Sequence, residues 1–410
     1  MQIVATPMGS SRTLLGRGEY GDVYSLSDAL AMKIMKERRV TADSVEEYFA
    51  AIDDFDREAI LMSNLRHERV TSLLGYSKVR ASRDNRLRPM LVMERAEGTF
   101  KAHLEASVRP DVAATLDLAR QALEGIEALS SQGFVHGDVS LDNLFVFGAA
   151  SRLKLGDFGL TCSVAEGAKE YLGCRRMLYK PGVRPPEVWR AMRYSPTHDA
   201  ARHLRALRTG APETTRPSDA TRAQELAAAS LPPRADVWAM GIVLYIAVFR
   251  ELPYARSPER VGEGRLGDLC VSKLCPQRFP KKAGPDCEKL CRRWPRRRLL
   301  QMQVEWYWGE TVGMFRAEEV LPEAGPTRNQ SARLGRRVQV YGPLRRLLLH
   351  MLEESPMRRC SAGEAAERLQ AIVRGLVGRR TSPRWRRKER RGHQAPGLDS
   401  DRAAKRARKN

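Results

Sequence analysis

The sequence predicts an α+β fold, with a small strand-rich part up to residue 94 and a larger helical part after it. Two observations predict this division. Short apolar runs separated by glycines and polar turns occupy residues 13–94, and this pattern is typical of strands. From Pro110 onwards, apolar residues recur three and four positions apart, as they do on one face of a helix.

The first strands surround a glycine-rich segment, in which Gly16, Gly18 and Gly21 form G-x-G-x-x-G before Val23. A dinucleotide-binding turn would need a helix directly after these glycines. The residues that follow Gly21, DVYSL, have strand character instead. The segment therefore predicts a strand–turn–strand flap whose backbone N–H groups can contact phosphates.

A third strand is predicted around Lys33, within AMKIM. A buried ammonium group needs an anion, because an isolated charge is costly to bury. Two anions are candidates, a ligand phosphate and a carboxylate of the helix predicted over residues 45–65. Glu58 is the candidate on that helix, and the alternative is that Glu58 is an ordinary exposed acid.

Residues 135–159 concentrate the polar side chains that suit phosphate chemistry. They include His136, Asp138 and Asn143, followed by Asp157-Phe158-Gly159. Apolar runs at residues 144–147 and 153–155 predict two short strands between these groups. Side chains that bind Mg²⁺ or accept a proton would then lie at the ends of loops on a rigid scaffold.

Taken in this order, the motifs resemble those of the eukaryotic protein kinases, over about residues 12–377. Further matches are Glu187 in PPE, Asp236 in DVWAMG and Arg359 after Pro356. The resemblance implies an α+β, bilobal protein kinase fold with a small β-rich N-lobe and a larger helical C-lobe. The implied divisions are an extension (1–11), the N-lobe (12–94), the C-lobe (95–378) and a disordered basic tail (379–410), with insertions at about 190–231 and 255–342.

The resemblance also implies roles for individual residues, because phosphoryl transfer depends mainly on positioning and charge neutralisation. Lys33 would bind the α- and β-phosphates of ATP and be oriented by Glu58. Asp138 would accept the proton of the substrate hydroxyl. Asn143 and Asp157 would bind Mg²⁺, which Mn²⁺ can replace.

Other residues would bind ATP or support the site. The implied ATP-binding set also includes Gly16, Arg17, Gly18, Glu19, Tyr20, Gly21, Asp22, Val23, Glu94 and Ala96. The implied structural set is Glu58, His136, Phe158, Gly159, Glu187, Asp236 and Arg359, with His136 stacked on Phe158 and Glu187 paired with Arg359.

Three positions depart from the kinase pattern. Gly137 replaces an Arg that normally holds a phosphate of the activation segment, so we expect activity that does not depend on such a phosphate. Ser140 and Asp142 stand where serine/threonine and tyrosine kinases, respectively, carry a cation near the γ-phosphate. Lys180 is a candidate to supply that charge, and the alternative is a solvated loop lysine.

The predicted activation segment, residues 157–187, contains hydroxyl and basic side chains. Candidates for modification are Thr161, Ser163, Tyr171 and Tyr179. Basic residues that would favour acidic substrates are Arg175, Arg176, Lys180 and Arg184. Solvent-facing charge without a substrate role is the alternative.

Four cysteines within the second insertion form C-x4-C-x11-C-x3-C: Cys270, Cys275, Cys287 and Cys291. Four thiolates can bind Zn²⁺ tetrahedrally. The spacing departs from the common C-x2-C pairs, so free thiols are the favoured interpretation and zinc is not expected.

The formal net charge is +22, and residues 379–410 account for +10 of it with 13 Lys or Arg and 3 Asp or Glu. This tail is too highly charged to fold alone. Its basic clusters favour a nuclear import receptor as partner, with nucleic acid as the other candidate. The seven cysteines and the start of the chain, which lacks an apolar signal segment, predict a protein that is not secreted and has no membrane partner.

The heavy use of Arg, the HGD motif and the long insertions are similar to the herpesvirus tegument serine/threonine kinases. That resemblance implies a kinase of the host nucleus and virion tegument acting on protein substrates. Outside that family, a nuclear or cytoplasmic location is expected. The alternative function is a catalytically weak kinase scaffold that binds nucleic acid or chromatin through its basic surface.

Overall fold

The computed structural model describes residues 13–18, 21–36, 45–80, 86–106, 111–148, 152–163, 179–188, 234–253 and 316–380. Within these residues the chain forms a strand-rich amino-terminal part and a helical carboxyl-terminal part. The predicted α+β division is therefore confirmed.

The amino-terminal part contains a five-stranded antiparallel sheet and one long helix. Its strands are β1 (Leu14–Arg17), β2 (Gly21–Ser25), β3 (Leu30–Met35), β4 (Leu73–Arg80) and β5 (Leu87–Glu94). Their spatial order is β1-β2-β3-β5-β4, so β3 lies at the centre of the sheet. Helix α1 (Val45–Asn64) packs Phe55 and Ala59 against Met35 and Leu91 of the sheet.

Strands β4 and β5 differ from the sequence prediction. We expected strands at residues 70–74 and 90–93 with a basic loop over residues 77–88. Instead the two strands pair as far as Arg80 and Leu87. The basic residues are accommodated because β4 is an edge strand, where charged side chains can reach water. Val70 forms only an isolated bridge with Leu155.

The carboxyl-terminal part is built around two buried helices. Its helices before the second insertion are α2 (Phe100–Glu105), α3 (Val112–Ser130) and α4 (Ala235–Phe249). Helix α4 is buried on all sides, and α3 contributes a continuous apolar face that includes Leu116, Leu123 and Ile126. The loops that carry the polar side chains pack against these two helices.

Short strands connect the polar segment, residues 135–159, to the rest of the helical part. They are β6 (Gly98–Thr99), β7 (Phe134–Val135), β8 (Leu144–Phe147), β9 (Arg152–Leu155) and β10 (Cys162–Ser163). Strand β8 pairs with both β6 and β9, and β7 pairs with β10. The predicted hairpin at residues 144–155 is confirmed, and it fixes the ends of the loops that carry Asp138 and Asp157.

The last helices of the described residues cover α3 and α4. They are α5 (Ala317–Val320), α6 (Arg328–Leu334), α7 (Tyr341–Met351) and α8 (Ala362–Arg380), with a 3₁₀ helix at Gly335–Val340. A second 3₁₀ helix, Pro181–Val183, lies within the predicted activation segment, residues 157–187. Ser361 and Glu364 form a capping box at the start of α8, because each donates a backbone N–H to the other's side chain. None of the helices described is long and apolar enough to cross a membrane.

Candidate active site

Lys33 lies at the centre of a cluster of charged groups between the two parts of the chain. Its Nζ is 2.9 Å and 2.8 Å from the two carboxylate oxygens of Glu58, and 2.7 Å from Oδ1 of Asp157. Strand β3 supplies the lysine and α1 supplies Glu58, so the pair ties the sheet to the helix. Burial by itself would lower the pKa of Lys33, but Asp157 and Glu58 outweigh it and hold the pKa well above its usual value.

Asp157 lies at the junction of the two parts of the chain, which we call the cleft, and 44 % of its side chain is exposed. The nearby Lys33 ammonium lowers the pKa of Asp157, so the group is anionic at neutral pH. Its backbone has a φ of +61°, a strained value for a residue with a Cβ. The next residue, Phe158, is buried edge-to-face against His136, with ring centroids 5.3 Å apart. This packing holds the Asp157 turn in place.

Asp138 and Asn143 are held together on the loop between β7 and β8. Nδ2 of Asn143 donates to the carbonyl oxygen of Asp138 at 2.9 Å and to Oδ2 of its carboxylate at 2.6 Å. Oδ1 of Asp138 is buried and has no hydrogen-bond partner within the described part of the chain. A buried oxygen of this kind normally has a partner, so an incoming hydroxyl group suits this position.

Burial raises the pKa of Asp138, while the charges of Lys180 and His136 oppose the shift. A raised pKa makes the carboxylate a stronger base once it is ionised. Proton acceptance from a hydroxyl group is therefore chemistry that this residue can perform.

Asp236, at the start of α4, fixes the backbone of the loop between β7 and β8. Its carboxylate accepts hydrogen bonds from the backbone N–H groups of His136, at 2.7 Å, and Gly137, at 3.2 Å. It also accepts one from the hydroxyl of Tyr179, at 2.8 Å. Gly137 has a φ of +76°, which glycine adopts without strain.

The glycines of the glycine-rich segment have different surroundings. A Cβ added at Gly16 would meet nothing within 4 Å, whereas one at Gly21 would lie 2.8 Å from Phe55 and 2.9 Å from the carbonyl oxygen of Ile34. Gly16 therefore leaves open space, and Gly21 permits close packing.

Other residues of the segment are placed as follows. Nζ of Lys36 donates to the carbonyl oxygen of Gly18. Of the other predicted ATP-binding residues here, Arg17, Asp22 and Val23 lie on β1 and β2, and Glu19 and Tyr20 are outside the described residues.

The connector after β5 was predicted to hold adenine through its backbone. The N–H of Arg95 donates to the carbonyl oxygen of Ala29, so this group is engaged within the protein. Both carboxylate oxygens of Glu94 accept hydrogen bonds from Lys154, at 2.7 Å each. The connector is thus held to β9 through the Glu94 side chain and to Ala29 through the N–H of Arg95, and its binding of adenine stays a prediction.

Comparison with known proteins agrees with this geometry. The family model described as "Protein kinase domain" matches residues 10–200. The fold is that of a protein kinase. The chain is 28 % identical over 176 residues to mitogen-activated protein kinase kinase kinase 3 of Mus musculus, a match that covers 43 % of this chain and 28 % of the relative.

Two other relatives show the same extent of similarity. The human form of that kinase is 29 % identical over 43 % of this chain and 28 % of its own length. The probable serine/threonine-protein kinase WNK10 of Arabidopsis thaliana is 26 % identical over 43 % of this chain and 32 % of its own length. The match therefore spans about a third or less of the length of these curated relatives.

The C-lobe of this kinase fold is braced by a buried ion pair that the sequence also predicted. Nη1 and Nη2 of Arg359 donate to the two carboxylate oxygens of Glu187, at 2.7 Å and 3.1 Å. The guanidinium also donates to the carbonyl oxygens of Arg234 and Glu353, and it lies over the ring of Trp238. This pair joins the end of the activation segment to the segment before α8.

Two predictions for the activation segment are wrong. Tyr179 was a candidate for modification, but it is 2 % exposed and its hydroxyl is bonded to Asp236. Arg184 was expected on a basic surface, but it is 1 % exposed and donates to the carbonyl oxygen of Tyr179. The sequence carried no signal for either, because burial here depends on contacts with α4 and with the loop between β7 and β8, which we call the catalytic loop.

Other predicted features lie outside the described residues. They are the four cysteines, both arginines at 175 and 176, Tyr171, the insertion at 190–231 and the tail beyond residue 380. The predicted roles for these features stay predictions.

Proposed function

We propose that this chain is a serine/threonine protein kinase, which transfers the γ-phosphate of ATP to hydroxyl groups of protein substrates. The observation that supports the proposal most strongly is that the Lys33 ammonium group contacts the carboxylates of both Glu58 and Asp157. Two relatives that carry serine/threonine kinase in their names support the choice of acceptor. The expected cofactors are ATP and Mg²⁺.

Each polar group in the cleft has one task in this proposal. Lys33, held by Glu58, binds the α- and β-phosphates of ATP. Oδ1 of Asp138 accepts the proton of the substrate hydroxyl as that oxygen bonds to the γ-phosphorus. The leaving group is ADP, and the two lobes keep the reacting atoms in line.

The donor set at the end of the cleft fits Mg²⁺. The carboxylate of Asp157 is anionic, and the amide nitrogen of Asn143 is engaged by Asp138, so its amide oxygen is the atom that would face a metal. Hard oxygen ligands of this kind suit Mg²⁺ and also Mn²⁺. When bound, the metal would neutralise charge on the phosphates.

We further propose that activity does not require phosphorylation of the activation segment. The end of that segment is already fixed to the catalytic loop, because the N–H of Tyr179 donates to the carbonyl oxygen of Gly137 at 2.6 Å. Gly137 itself has no side chain with which to hold a phosphate. Phosphatase-treated enzyme should keep full activity, and loss of activity after treatment would contradict this point.

The direct test is transfer of label from [γ-³²P]ATP to a mixed protein substrate. The wild type should incorporate label, while Lys33→Ala and Asp138→Ala should lose nearly all of it. Lys78→Ala is the matched control, because Lys78 pairs with Asp56 on the surface of β4. Acid hydrolysis of the product should give phosphoserine and phosphothreonine, and phosphotyrosine would contradict the proposed acceptor.

A second candidate is a nucleic-acid-binding scaffold, favoured by the net charge of +22. Equal labelling by the wild type and both active-site variants, together with salt-sensitive binding to DNA or RNA, would support the scaffold instead. If the chain is a kinase, the wild type will incorporate label and the two active-site variants will not.

The viral setting and the location are also proposals. They are supported by the HGD motif, the long insertions and the basic tail. An import receptor would recognise the tail and bring the kinase into a host nucleus. Deletion of residues 381–410 should leave transfer activity intact and reduce nuclear accumulation of a fluorescent fusion. Unchanged accumulation would exclude the tail as the import signal.

A further inference from the structure

We propose that Lys180 acts as a phosphate-binding cation of the transfer site, reaching the catalytic loop from the activation segment. This inference rests on the proposed kinase function. In the transfer step the bond from the γ-phosphorus to the bridging oxygen of ADP breaks and the bond to the acceptor oxygen forms, while Asp138 takes the proton. The ammonium group of Lys180 would stabilise the negative charge on the phosphoryl oxygens and remain unchanged itself.

The ammonium group of Lys180 lies directly on the catalytic loop. Its Nζ is 2.9 Å from Oγ of Ser140 and 3.0 Å from Oδ2 of Asp142. An ammonium group has three donors, so a third can point to a ligand. The Lys180 side chain is 46 % exposed, which leaves it accessible to a substrate in the cleft.

Lys180 contacts the loop that carries the proton acceptor. Ser140 lies two residues after Asp138, and Nζ of Lys180 donates to its hydroxyl at 2.9 Å. The other partner, Asp142, directly precedes Asn143, whose amide group holds the Asp138 carboxylate. A cation fixed on this loop is therefore well placed to meet the phosphoryl group as it passes to the acceptor oxygen.

The backbone before Lys180 is held rigidly. Tyr179 has a φ of +59° and is 2 % exposed. Its N–H donates to Gly137, its hydroxyl donates to Asp236, and its carbonyl oxygen accepts from the Arg184 guanidinium at 2.8 Å. Because Tyr179 is fixed at three points, Lys180 begins from a defined position above Ser140.

A stability role does not account for this arrangement. Lys180 and Asp142 are both about half exposed, and a surface ion pair of that kind contributes little to stability because solvent screens it. The strained backbone of Tyr179 would oppose such a small gain. A positioned cation at the catalytic loop explains why strain and burial are concentrated beside an otherwise ordinary lysine.

The test compares four variants in steady-state transfer of ³²P from ATP to a serine/threonine substrate. Lys180→Ala should lower kcat by about 10²-fold, as loss of one charge-stabilising donor does, and change KM for ATP less than kcat. Lys180→Arg should keep most of kcat. The double variant Lys180→Ala with Ser140→Lys returns a cation to the same loop and should recover at least part of kcat.

Lys101→Ala is the matched control, because Lys101 faces the other carboxylate oxygen of Asp142, at 3.9 Å. It should retain wild-type kcat. The proposal is overturned if Lys180→Ala keeps wild-type kcat, or if kcat falls and neither Lys180→Arg nor the double variant recovers it. Wild type that transfers no label would contradict the proposed kinase function itself, and the role of Lys180 would fall with it.

Discussion

Arg359 and Glu187 form a bidentate ion pair in which neither partner reaches solvent appreciably, with side-chain exposures of 0 % and 4 %. The two residues are 172 positions apart in the chain. Their contact therefore joins the end of the activation segment to the last part of the C-lobe.

Breaking this ion pair should destabilise the protein strongly. Arg359→Met leaves the Glu187 carboxylate buried without its cation, which should lower the free energy of unfolding by about 3–5 kcal/mol. Urea unfolding followed by circular dichroism checks this value. Arg358→Ala is the control, since that neighbour is 75 % exposed. A loss below about 1 kcal/mol in Arg359→Met would show that the pair is not a brace.

Removing the hydroxyl of Tyr179 should weaken the anchor of the activation segment. Tyr179→Phe takes one of three donors from the buried Asp236 carboxylate, so the free energy of unfolding should fall by about 1–3 kcal/mol. Because Lys180 follows directly, kcat should fall as well. Thermal unfolding and transfer assays measure the two effects. Tyr48→Phe is the control, since that hydroxyl donates to the carbonyl oxygen of Leu87 at an exposed position. Equal behaviour of the two variants would contradict the anchoring role.

Two glycines of the glycine-rich flap should affect stability differently when each is replaced by alanine. Gly21→Ala places a Cβ against Phe55 and the carbonyl oxygen of Ile34, so it should destabilise the N-lobe by about 1–3 kcal/mol. Gly16→Ala meets open space, so stability should change little while ATP binding weakens. Thermal unfolding with and without ATP distinguishes the two. A destabilised Gly16→Ala protein would contradict this description of the flap.

The cap of α8 should depend on pH. The backbone N–H of Ser361 donates to Glu364, and this hydrogen bond lowers the pKa of the Glu364 carboxyl. A carboxyl whose pKa is lower in the folded state stabilises the fold above its unfolded pKa, about 4.3, and loses that contribution as pH falls through the folded value. Glu364→Gln should therefore be less stable than wild type at pH 7, with a difference that shrinks below about pH 4. Urea midpoints at several pH values measure it, and a constant difference would contradict the assignment.

The sequence predicted the parts of the site that local motifs encode. The order of the motifs that contain Lys33, Glu58, Asp138, Asn143 and Asp157 resembles that of the protein kinases, and this resemblance implied the bilobal α+β fold. In the structure Lys33 contacts Glu58 and Asp157, and Asn143 contacts Asp138. Short spacing rules suffice here, because each motif occupies a single turn or strand.

Features that depend on tertiary contacts were beyond the reach of local patterns. The burial of Tyr179 and Arg184 follows from packing against α4, which lies more than 50 residues later in the chain. The extension of β4 and β5 follows from their mutual pairing, which allows basic side chains at a sheet edge. No local pattern reports either contact.

The assignment of Asp138 as the proton acceptor is tested most directly by measuring ATP affinity and kcat together for Asp138→Asn. The amide is nearly the same size and can still contact Asn143, but it cannot take a proton. The account predicts ATP·Mg affinity close to wild type and a kcat lowered by about 10²–10⁴-fold, the usual contribution of a general base. A kcat close to wild type would contradict the central claim that Asp138 drives phosphoryl transfer in this cleft.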